Sequence, residues 1–248
     1  MVPRRGFRGE AIVTPARTGE ATGREKAKAA IEEVQTSLRE DILSGKLAPR
    51  SRLPIEALRA QFGVSSSTLR EALSRLMSEN LVTAEMQRGF HVAPISISDF
   101  REITQMRIAL ETLGIAESIK HGDDAWEARV VAANHRLARI ESGMVGGEEF
   151  SPDEWELRDR GFHDALVSGF TNGWLMKLRN MLYVHSVRYT YISFSQIATG
   201  RDVRAEHQAI FYSVIARDVD RAVRLTREHI AGTIPIIEAR LAALDMAE

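Results

Sequence analysis

A long run of helical periodicity after Pro94 limits the possible folds of this 248-residue chain more than any other feature. Apolar residues recur three and four positions apart, as on one face of an amphipathic helix, and no convincing strand pattern interrupts them. The first predicted helix is capped by Ser98, and the others lie at about 124–143, 152–169, 173–194, 202–216 and 218–243. Six helices over about 150 residues predict an all-α bundle.

The residues before this bundle form shorter elements of two kinds. Helices are expected at 25–43, at 54–61 and after Ser65, and strand-like runs lie at 81–85 and 90–93. The two strand-like runs flank a turn and predict a hairpin. Three helices followed by a hairpin predict a winged helix-turn-helix. The predicted fold is therefore mostly α, with an N-terminal winged helix-turn-helix and a C-terminal all-α helical bundle.

Composition and charge divide the chain into segments at residues 1–24, 25–94 and 95–248. The first segment has five arginines, four glycines and little periodicity. It is either a mobile basic arm that adds phosphate contacts or only a solvated tail. Residues 1–94 carry 15 Lys and Arg against 11 Asp and Glu, whereas the remainder carries 18 against 23. A basic N-terminal third on an acidic body indicates that the first part meets a polyanion.

The composition also excludes several classes of protein. With no cysteine, the chain has no disulfide framework, no thiolate zinc site and no cysteine nucleophile. No apolar run approaches the roughly 18 residues of a membrane span, so no membrane partner is expected. The N-terminus is basic but lacks the apolar stretch of a signal peptide, so we expect a cytoplasmic protein.

The third predicted helix carries the side chains that a DNA-reading helix needs. An α-helix fits the major groove, and its N-terminal side chains then reach base edges and phosphates. Arg70 supplies a positive charge about one turn into this helix. Short hydroxyl donors stand at its start, at Ser65, Ser66, Ser67 and Thr68. By spacing alone, an ordinary capped amphipathic helix is the favoured interpretation.

A series of motifs between residues 30 and 94 changes that balance. The motifs are Leu53-Pro54, Phe62-Gly63-Val64-Ser65, Arg70-Glu71-Ala72-Leu73, Leu76 and Leu81-Val82. They resemble the winged helix-turn-helix of the GntR family of bacterial transcription regulators. The resemblance implies a wing at Arg88-Gly89 that enters the minor groove. It also implies DNA contacts from the recognition helix at Ser65, Ser67, Thr68 and Arg70.

The chain departs from this family pattern at Ser66. Most family members carry an arginine there, which reads a guanine. A bidentate arginine is worth roughly 1–3 kcal/mol of discrimination between bases. We therefore expect an operator that departs from the common half-site.

Three histidines and an aspartate in the predicted bundle form a candidate metal site. Asp159 and His163 lie four residues apart, so both project from one face of the same helix. His207 and His229 stand on later helices, each directly after a glutamate. Taken singly, each histidine is more often a core or surface residue than a ligand. Together, three imidazoles and one carboxylate suit zinc, nickel or manganese and leave one or two positions open for water or a small acid.

Motifs over residues 98–240 support the same set. They are Asp159-Arg160-Gly161-Phe162-His163, Asn172, Glu206-His207-Gln208-Ala209-Ile210, Asp218 and Arg227-Glu228-His229. They resemble the FCD ligand-binding domain that defines the FadR subfamily of GntR regulators. The resemblance implies a divalent metal ion held by Asp159, His163, His207 and His229. Six rather than seven helices look closer to the VanR branch than to FadR itself.

The resemblance also implies an effector cavity beside the metal. Arg107, on the first bundle helix, matches an arginine that faces this cavity in the family. A buried guanidinium there would clamp a carboxylate bidentately, so the expected effector is a small carboxylate. Arg188 and His185, on the helix at 173–194, are expected to line the same cavity.

These features predict a transcriptional regulator, in the simplest case a repressor, whose binding to double-stranded operator DNA responds to a small organic acid. A winged domain reads only a few base pairs and a pseudo-palindromic operator demands two, so we expect a homodimer with much of its contact in the helical domain. An activator, a direct metal sensor and a purely structural metal remain alternatives. An enzyme is not expected: an open metal site can activate water, but no motif places a glutamate or other base at these ligands.

Overall fold

The computed structural model describes residues 23–85, 88–145, 149, 151–193 and 201–245. Most of the predicted basic arm, residues 1–22, lies outside the described residues, and Gly23 and Arg24 begin the first helix. A search of the described helices finds none that is long and apolar enough to cross a membrane.

The N-terminal elements form a winged helix-turn-helix, as predicted. They are α1 (Gly23–Leu43), β1 (Arg52–Leu53), α2 (Ile55–Phe62), α3 (Ser66–Ser78), β2 (Val82–Glu85) and β3 (Gly89–Val92). The strands form an antiparallel sheet in the order β1-β3-β2, and β2 and β3 are the predicted hairpin. The sequence pattern does not predict β1, because two residues are too few to show a periodicity. Strand β1 pairs with β3, with Arg52 opposite His91 and Leu53 opposite Phe90.

The turn between α2 and α3 explains how the third helix is presented. Gly63 has a φ of +63°, a left-handed conformation that suits glycine. The Ser65 side chain caps α3 by accepting a hydrogen bond from the Thr68 backbone N–H at 3.1 Å. Leu69 and Leu73 are fully buried in an apolar core shared with α1 and the sheet. The opposite face of α3 is therefore left outside this core.

Seven helices follow in the described part of the C-terminal domain. They are α4 (Ile97–His121), α5 (Asp124–Val145), α6 (Pro152–Val167), α7 (Gly173–Ser193), α8 (Val203–Ile215), α9 (Val219–Ala231) and α10 (Ile234–Asp245). The predicted all-α bundle is confirmed. Ser96 rather than Ser98 caps α4, because the Ser96 Oγ accepts the Asp99 backbone N–H at 3.1 Å.

The predicted count of six helices is wrong, because the segment 218–243 is two helices. Helix α9 ends at Ala231 and α10 begins at Ile234. Pro235 has no N–H to donate to the carbonyl four residues earlier, and its ring opposes a continuous helix there. The helix count therefore gives no support to the VanR branch.

Helix α7 belongs to the bundle but also contacts the winged domain. Val184 packs against the apolar core of that domain. Arg188 Nη2 donates to the Ala93 carbonyl at 2.6 Å. The Tyr189 hydroxyl accepts the Ser96 backbone N–H at 3.2 Å. One helix thus holds the segment that joins the two domains.

Candidate functional site

The predicted DNA-reading residues lie at the exposed N-terminal end of α3. The Ser65 Oγ lies 2.8 Å from the Ser67 Oγ and 2.9 Å from the Thr68 Oγ1, in addition to its capping bond. Ser67 and Arg70 are exposed, whereas Ser66 is half-buried. The helix therefore presents hydroxyl groups and one guanidinium on the side away from the core.

The predicted wing residues lie at the turn of the hairpin. Arg88 is exposed, with its Nη1 3.4 Å from a carboxylate oxygen of Glu85. Gly89 has a φ of +88°, which other residues rarely adopt. Residues 86 and 87 lie outside the described residues.

The four predicted metal ligands come together inside the bundle, on α6, α8 and α9. The nearest ligand nitrogens of His163, His207 and His229 all lie within 4.8 Å of one another. Asp159 Oδ1 lies 3.2 Å from His207 Nε2 and 3.7 Å from His163 Nε2. His207 is fully buried and His163 nearly so. Residues 70 positions apart in the sequence thus share one site.

Local packing explains why these side chains point inwards. Asp159 and His163 lie one turn apart on α6, and the intervening Phe162 is fully buried in the bundle core. Its ring packs edge-on against His163 and His207, with centroid distances of 5.5 and 5.4 Å. The His229 ring stacks on His163 at 5.2 Å. The aromatic core therefore holds all three imidazoles.

Two glutamates lie on the outer nitrogens of these histidines, and the sequence assigned this role to neither of them. Glu141 Oε1 is 2.7 Å from His207 Nδ1, and Glu206 Oε2 is 2.7 Å from His229 Nδ1. Each carboxylate fixes the orientation of an imidazole, as outer partners of metal-binding histidines commonly do. No sequence motif was found to place a glutamate at these ligands, and the structure places two there. Glu141 gives no signal in the sequence, because it lies 66 residues from its partner.

The electrostatics of the cluster favour a bound cation. Burial lowers the pKa of His207, but the nearby carboxylates of Asp159 and Glu141 outweigh burial and raise the pKa to about 9. Burial lowers the pKa of His229 to about 4 despite its bond with Glu206. Burial opposes the ionised form of Asp159, yet the neighbouring histidines hold its pKa well below the usual range. A positive charge is therefore favourable between the Asp159 and Glu141 carboxylates, and a bound cation would place positive charge there.

The donor set also fits a metal ion. His207 Nε2 is buried, faces Asp159 and has no hydrogen-bond partner among the described residues. Three imidazoles and one carboxylate are ligands that zinc, nickel and manganese accept. Small side-chain rotations would bring the three histidine nitrogens to one ion, which bonds imidazole at roughly 2.0–2.1 Å in the case of zinc. The histidine cluster could therefore hold a metal ion.

Arg107 lies next to this cluster on α4. Its positive charge contributes to lowering the pKa of His163, after the larger effect of burial. Its guanidinium carbon lies 5.6 Å from the centre of the Tyr183 ring, whose hydroxyl donates to Glu156 at 2.6 Å. The buried Arg107 Nε has no hydrogen-bond partner in the described part of the chain. Arg107 thus keeps an unused donor beside the histidines, and Tyr183 is a neighbour that the sequence did not indicate.

The structure does not bring the other two predicted effector residues to the histidines. Arg188 is buried against the Ala93 carbonyl in the segment that joins the domains. Burial lowers the pKa of His185, whose charged and hydrogen-bonding neighbours are Arg188, Asp99 and Glu79. Both side chains face the junction because they lie on the part of α7 that packs against the winged domain.

Comparisons with known proteins agree with this architecture. The model of bacterial regulatory proteins of the gntR family matches residues 30–92, and the FCD domain model matches residues 102–232. A regulator of Paraburkholderia xenovorans (strain LB400), the uncharacterized HTH-type BphR, is 40% identical over 207 residues, 84% of each chain. The HTH-type transcriptional repressor GlaR of Escherichia coli (strain K12) is 34% identical over 209 residues, 83% of this chain and 94% of GlaR.

Solved structures support the fold. The solved structure of E. coli McbR/YncC has a TM-score of 0.69 at 20% identity, covering 86% of this chain and 98% of that one. The FCD match alone spans more than half of the chain, and the gntR match covers the winged domain. The chain is therefore not an enzyme but a transcriptional regulator of the GntR family, in the FadR-like subfamily with a C-terminal FCD domain.

Proposed function

We propose that this regulator is a repressor whose binding to double-stranded operator DNA is controlled by a small organic acid. The observation that carries the proposal is the buried convergence of Asp159 and three histidines next to Arg107. Such a site combines a metal centre with a guanidinium that has a free donor. The similarity to the E. coli repressor GlaR supports repression as the sign of regulation.

A small carboxylate is the ligand that this combination fits best. Asp159, His163, His207 and His229 would hold zinc, nickel or manganese, and the ion would supply a positive centre for an incoming carboxylate. Arg107 would pair with the same carboxylate through charge-assisted hydrogen bonds. Neutral or purely apolar molecules cannot match this combination of a metal ion and a guanidinium. Acid binding would then favour one of two spacings of the winged domains, of which only one fits the operator half-sites.

A homodimer is part of this proposal, because a symmetric operator needs two winged domains. Two neighbouring helices of the bundle carry exposed large apolar side chains. On α4 and α7 these are Met106, Leu113, Trp174, Leu178 and Met181. Trp174 alone is 72% exposed. Large apolar side chains exposed on two helices that contact each other indicate an interaction site, and we assign it to a second copy of the chain.

The first experiment is metal analysis of the purified protein, followed by operator binding in the presence of a panel of small carboxylic acids. We expect about one divalent ion per chain and at least one acid that weakens operator binding. A 50-fold change in DNA affinity corresponds to about 2.3 kcal/mol of coupling. A protein that neither contains nor binds zinc, nickel or manganese would refute the metal site. A protein that sediments as a monomer, and stays monomeric when operator DNA is added, would refute the dimer.

Direct metal sensing is the second candidate, favoured by the buried His207 Nε2, which forms no hydrogen bond to any described residue and which a bound ion would satisfy without an acid. Titration of the metal with no acid present separates the two functions. A sensor changes operator affinity on metal addition, whereas the proposed regulator changes it only when the acid follows. If the metal is purely structural, its removal lowers the melting temperature of the protein and leaves the effector affinity unchanged.

A further inference from the structure

Arg201 lies at the outer edge of the histidine cluster, just before α8, and no sequence motif indicated it. Its Nε donates to Glu206 Oε1 at 2.7 Å, and its Nη2 donates to the other oxygen of the same carboxylate. The Nη2 also donates to the backbone carbonyl of His229 and lies 3.3 Å from the His229 Nδ1. One guanidinium therefore contacts both the partner of a metal ligand and that ligand itself.

We propose that Arg201 is a positioning residue for the metal ligand His229, acting through Glu206. The inference rests on the proposed metal site. The Glu206 Oε2 atom lies 2.7 Å from His229 Nδ1. An ionised carboxylate can only accept a hydrogen bond, so the proton between these two atoms belongs to the imidazole. The proton on Nδ1 leaves Nε2 free to bind a metal. Arg201 fixes the carboxylate that selects this tautomer.

The two-point contact explains why an arginine stands at this position. A planar guanidinium presents parallel N–H groups that match both oxygens of a carboxylate, and lysine cannot reproduce that geometry. The Arg201 side chain is only 14% exposed, so its guanidinium is largely shielded from water. With the Glu206 carboxylate held at both oxygens, its bond to His229 keeps one direction.

Gly232, at the end of α9, gives a second and independent sign that the guanidinium has a fixed place. A Cβ added there would lie 3.0 Å from the Arg201 Cζ and 3.1 Å from its Nη2. Gly232 has a φ of −62°, so alanine is acceptable to the backbone. The glycine thus leaves room for the guanidinium rather than serving a strained turn. Gly232→Ala is therefore a way to displace Arg201 without removing it.

The test compares zinc affinity, measured by competition with a chromogenic chelator, in Arg201→Gln, Arg201→Lys and Gly232→Ala. Outer partners of metal-binding histidines are worth about 10–100-fold in affinity. We expect a loss in this range for Arg201→Gln, most of the same loss for Arg201→Lys, and a smaller loss for Gly232→Ala. Arg204→Gln, which removes an exposed arginine in the first turn of α8, is the matched control and should bind zinc like the wild type.

Nitrogen NMR of the imidazoles, recorded after chelator treatment, separates this inference from the metal site itself. The wild type should carry the His229 proton on Nδ1, and Arg201→Gln should give a mixture of tautomers. If the wild type binds no metal, the proposed function fails while the NMR spectra still decide the role of Arg201. Unchanged zinc affinity and an unchanged His229 tautomer in Arg201→Gln would overturn the inference. So would an equal loss in Arg204→Gln, or a lower melting temperature with no change in zinc affinity.

Discussion

The winged domain and the helical bundle differ in what they bury. The winged core consists of apolar side chains such as Leu38, Leu69 and Leu73. By contrast, every buried polar or charged side chain in the described part of the chain belongs to the bundle. They are Thr104, Glu111, Thr112, Ser118, Asn134, Glu141, His163, Arg179, Ser186, Arg188, His207, Ser213 and Thr226.

This difference follows from where each domain does its chemistry. DNA is too large to enter a domain, so the winged domain needs only a rigid apolar support for an outer polar face. A small ligand is recognised inside, where charges interact strongly but are costly to bury. The Glu111–Arg179 pair, 2.8 Å apart and almost fully buried, illustrates that cost. Substitutions should therefore separate stability, metal binding and DNA binding by domain.

The largest effect is expected for Leu73→Ala in the winged core. Removal of a fully buried leucine costs about 2–5 kcal/mol, including the cavity that it leaves. Urea unfolding, with operator binding as the readout for the winged domain, should show this loss of stability. The zinc affinity of the bundle should stay unchanged. Ser74→Ala, at the next and exposed position, is the control. A parallel loss of zinc affinity in Leu73→Ala would show that the two domains do not act independently.

His207→Ala should have the next largest effect, on metal affinity. Outer partners alone are worth about 10–100-fold, so loss of a direct ligand should reach about 100-fold, or about 2.7 kcal/mol. Operator binding without effector should remain, because the winged core is untouched. Isothermal titration with zinc measures the first quantity and fluorescence anisotropy with operator the second. The exposed His135 provides the control variant His135→Ala, and retained zinc affinity in His207→Ala would contradict the assignment.

Arg107→Ala divides the bundle site further. Hydrogen bonds to charged groups contribute about 1.5–3 kcal/mol, so effector affinity should fall about 10-fold or more. Zinc affinity should be preserved, because Arg107 is not one of the proposed ligands. Calorimetric titration of an active acid into the zinc-loaded protein measures the effect, with the exposed Arg136→Ala as control. A normal response in Arg107→Ala would remove Arg107 from the proposed effector site.

The same contrast explains what the sequence could predict. Patterns on one element are visible in it: the Ser65 cap, the glycine turn at 63, and Asp159 with His163 one turn apart. The division at Ala231 also had a visible cause in Pro235, but the apolar pattern on both sides hid it.

Contacts between distant elements could not be predicted in this way. Glu141 meets His207 across 66 residues, and Arg201 meets His229 across 28. Arg188 gave the opposite error, because its position on α7 specified a helix and not which end of the domain it would face. Its carbonyl partner, Ala93, has no side-chain signal at all. The sequence therefore predicted the elements of the winged domain, whose DNA contacts stay a prediction, and was incomplete inside the bundle.

The smallest effect is expected for Arg70→Ala, on the outer face of α3. Arg70 is exposed, so its loss should leave unfolding unchanged and remove one contact to DNA, largely to phosphate. Operator affinity should fall by about 10-fold or less, for every operator alike, and the slope of log affinity against log salt should decrease by about 1. Arg75→Ala is the matched control, because Arg75 lies on the same helix with its Nε 3.2 Å from Glu71. Ser66→Arg should instead change which operator is preferred, because a bidentate arginine reads guanine. If Arg70→Ala matches the wild type in a salt titration, this end of α3 does not face DNA. The contrast between an outer DNA site and an inner ligand site would then lose its outer half.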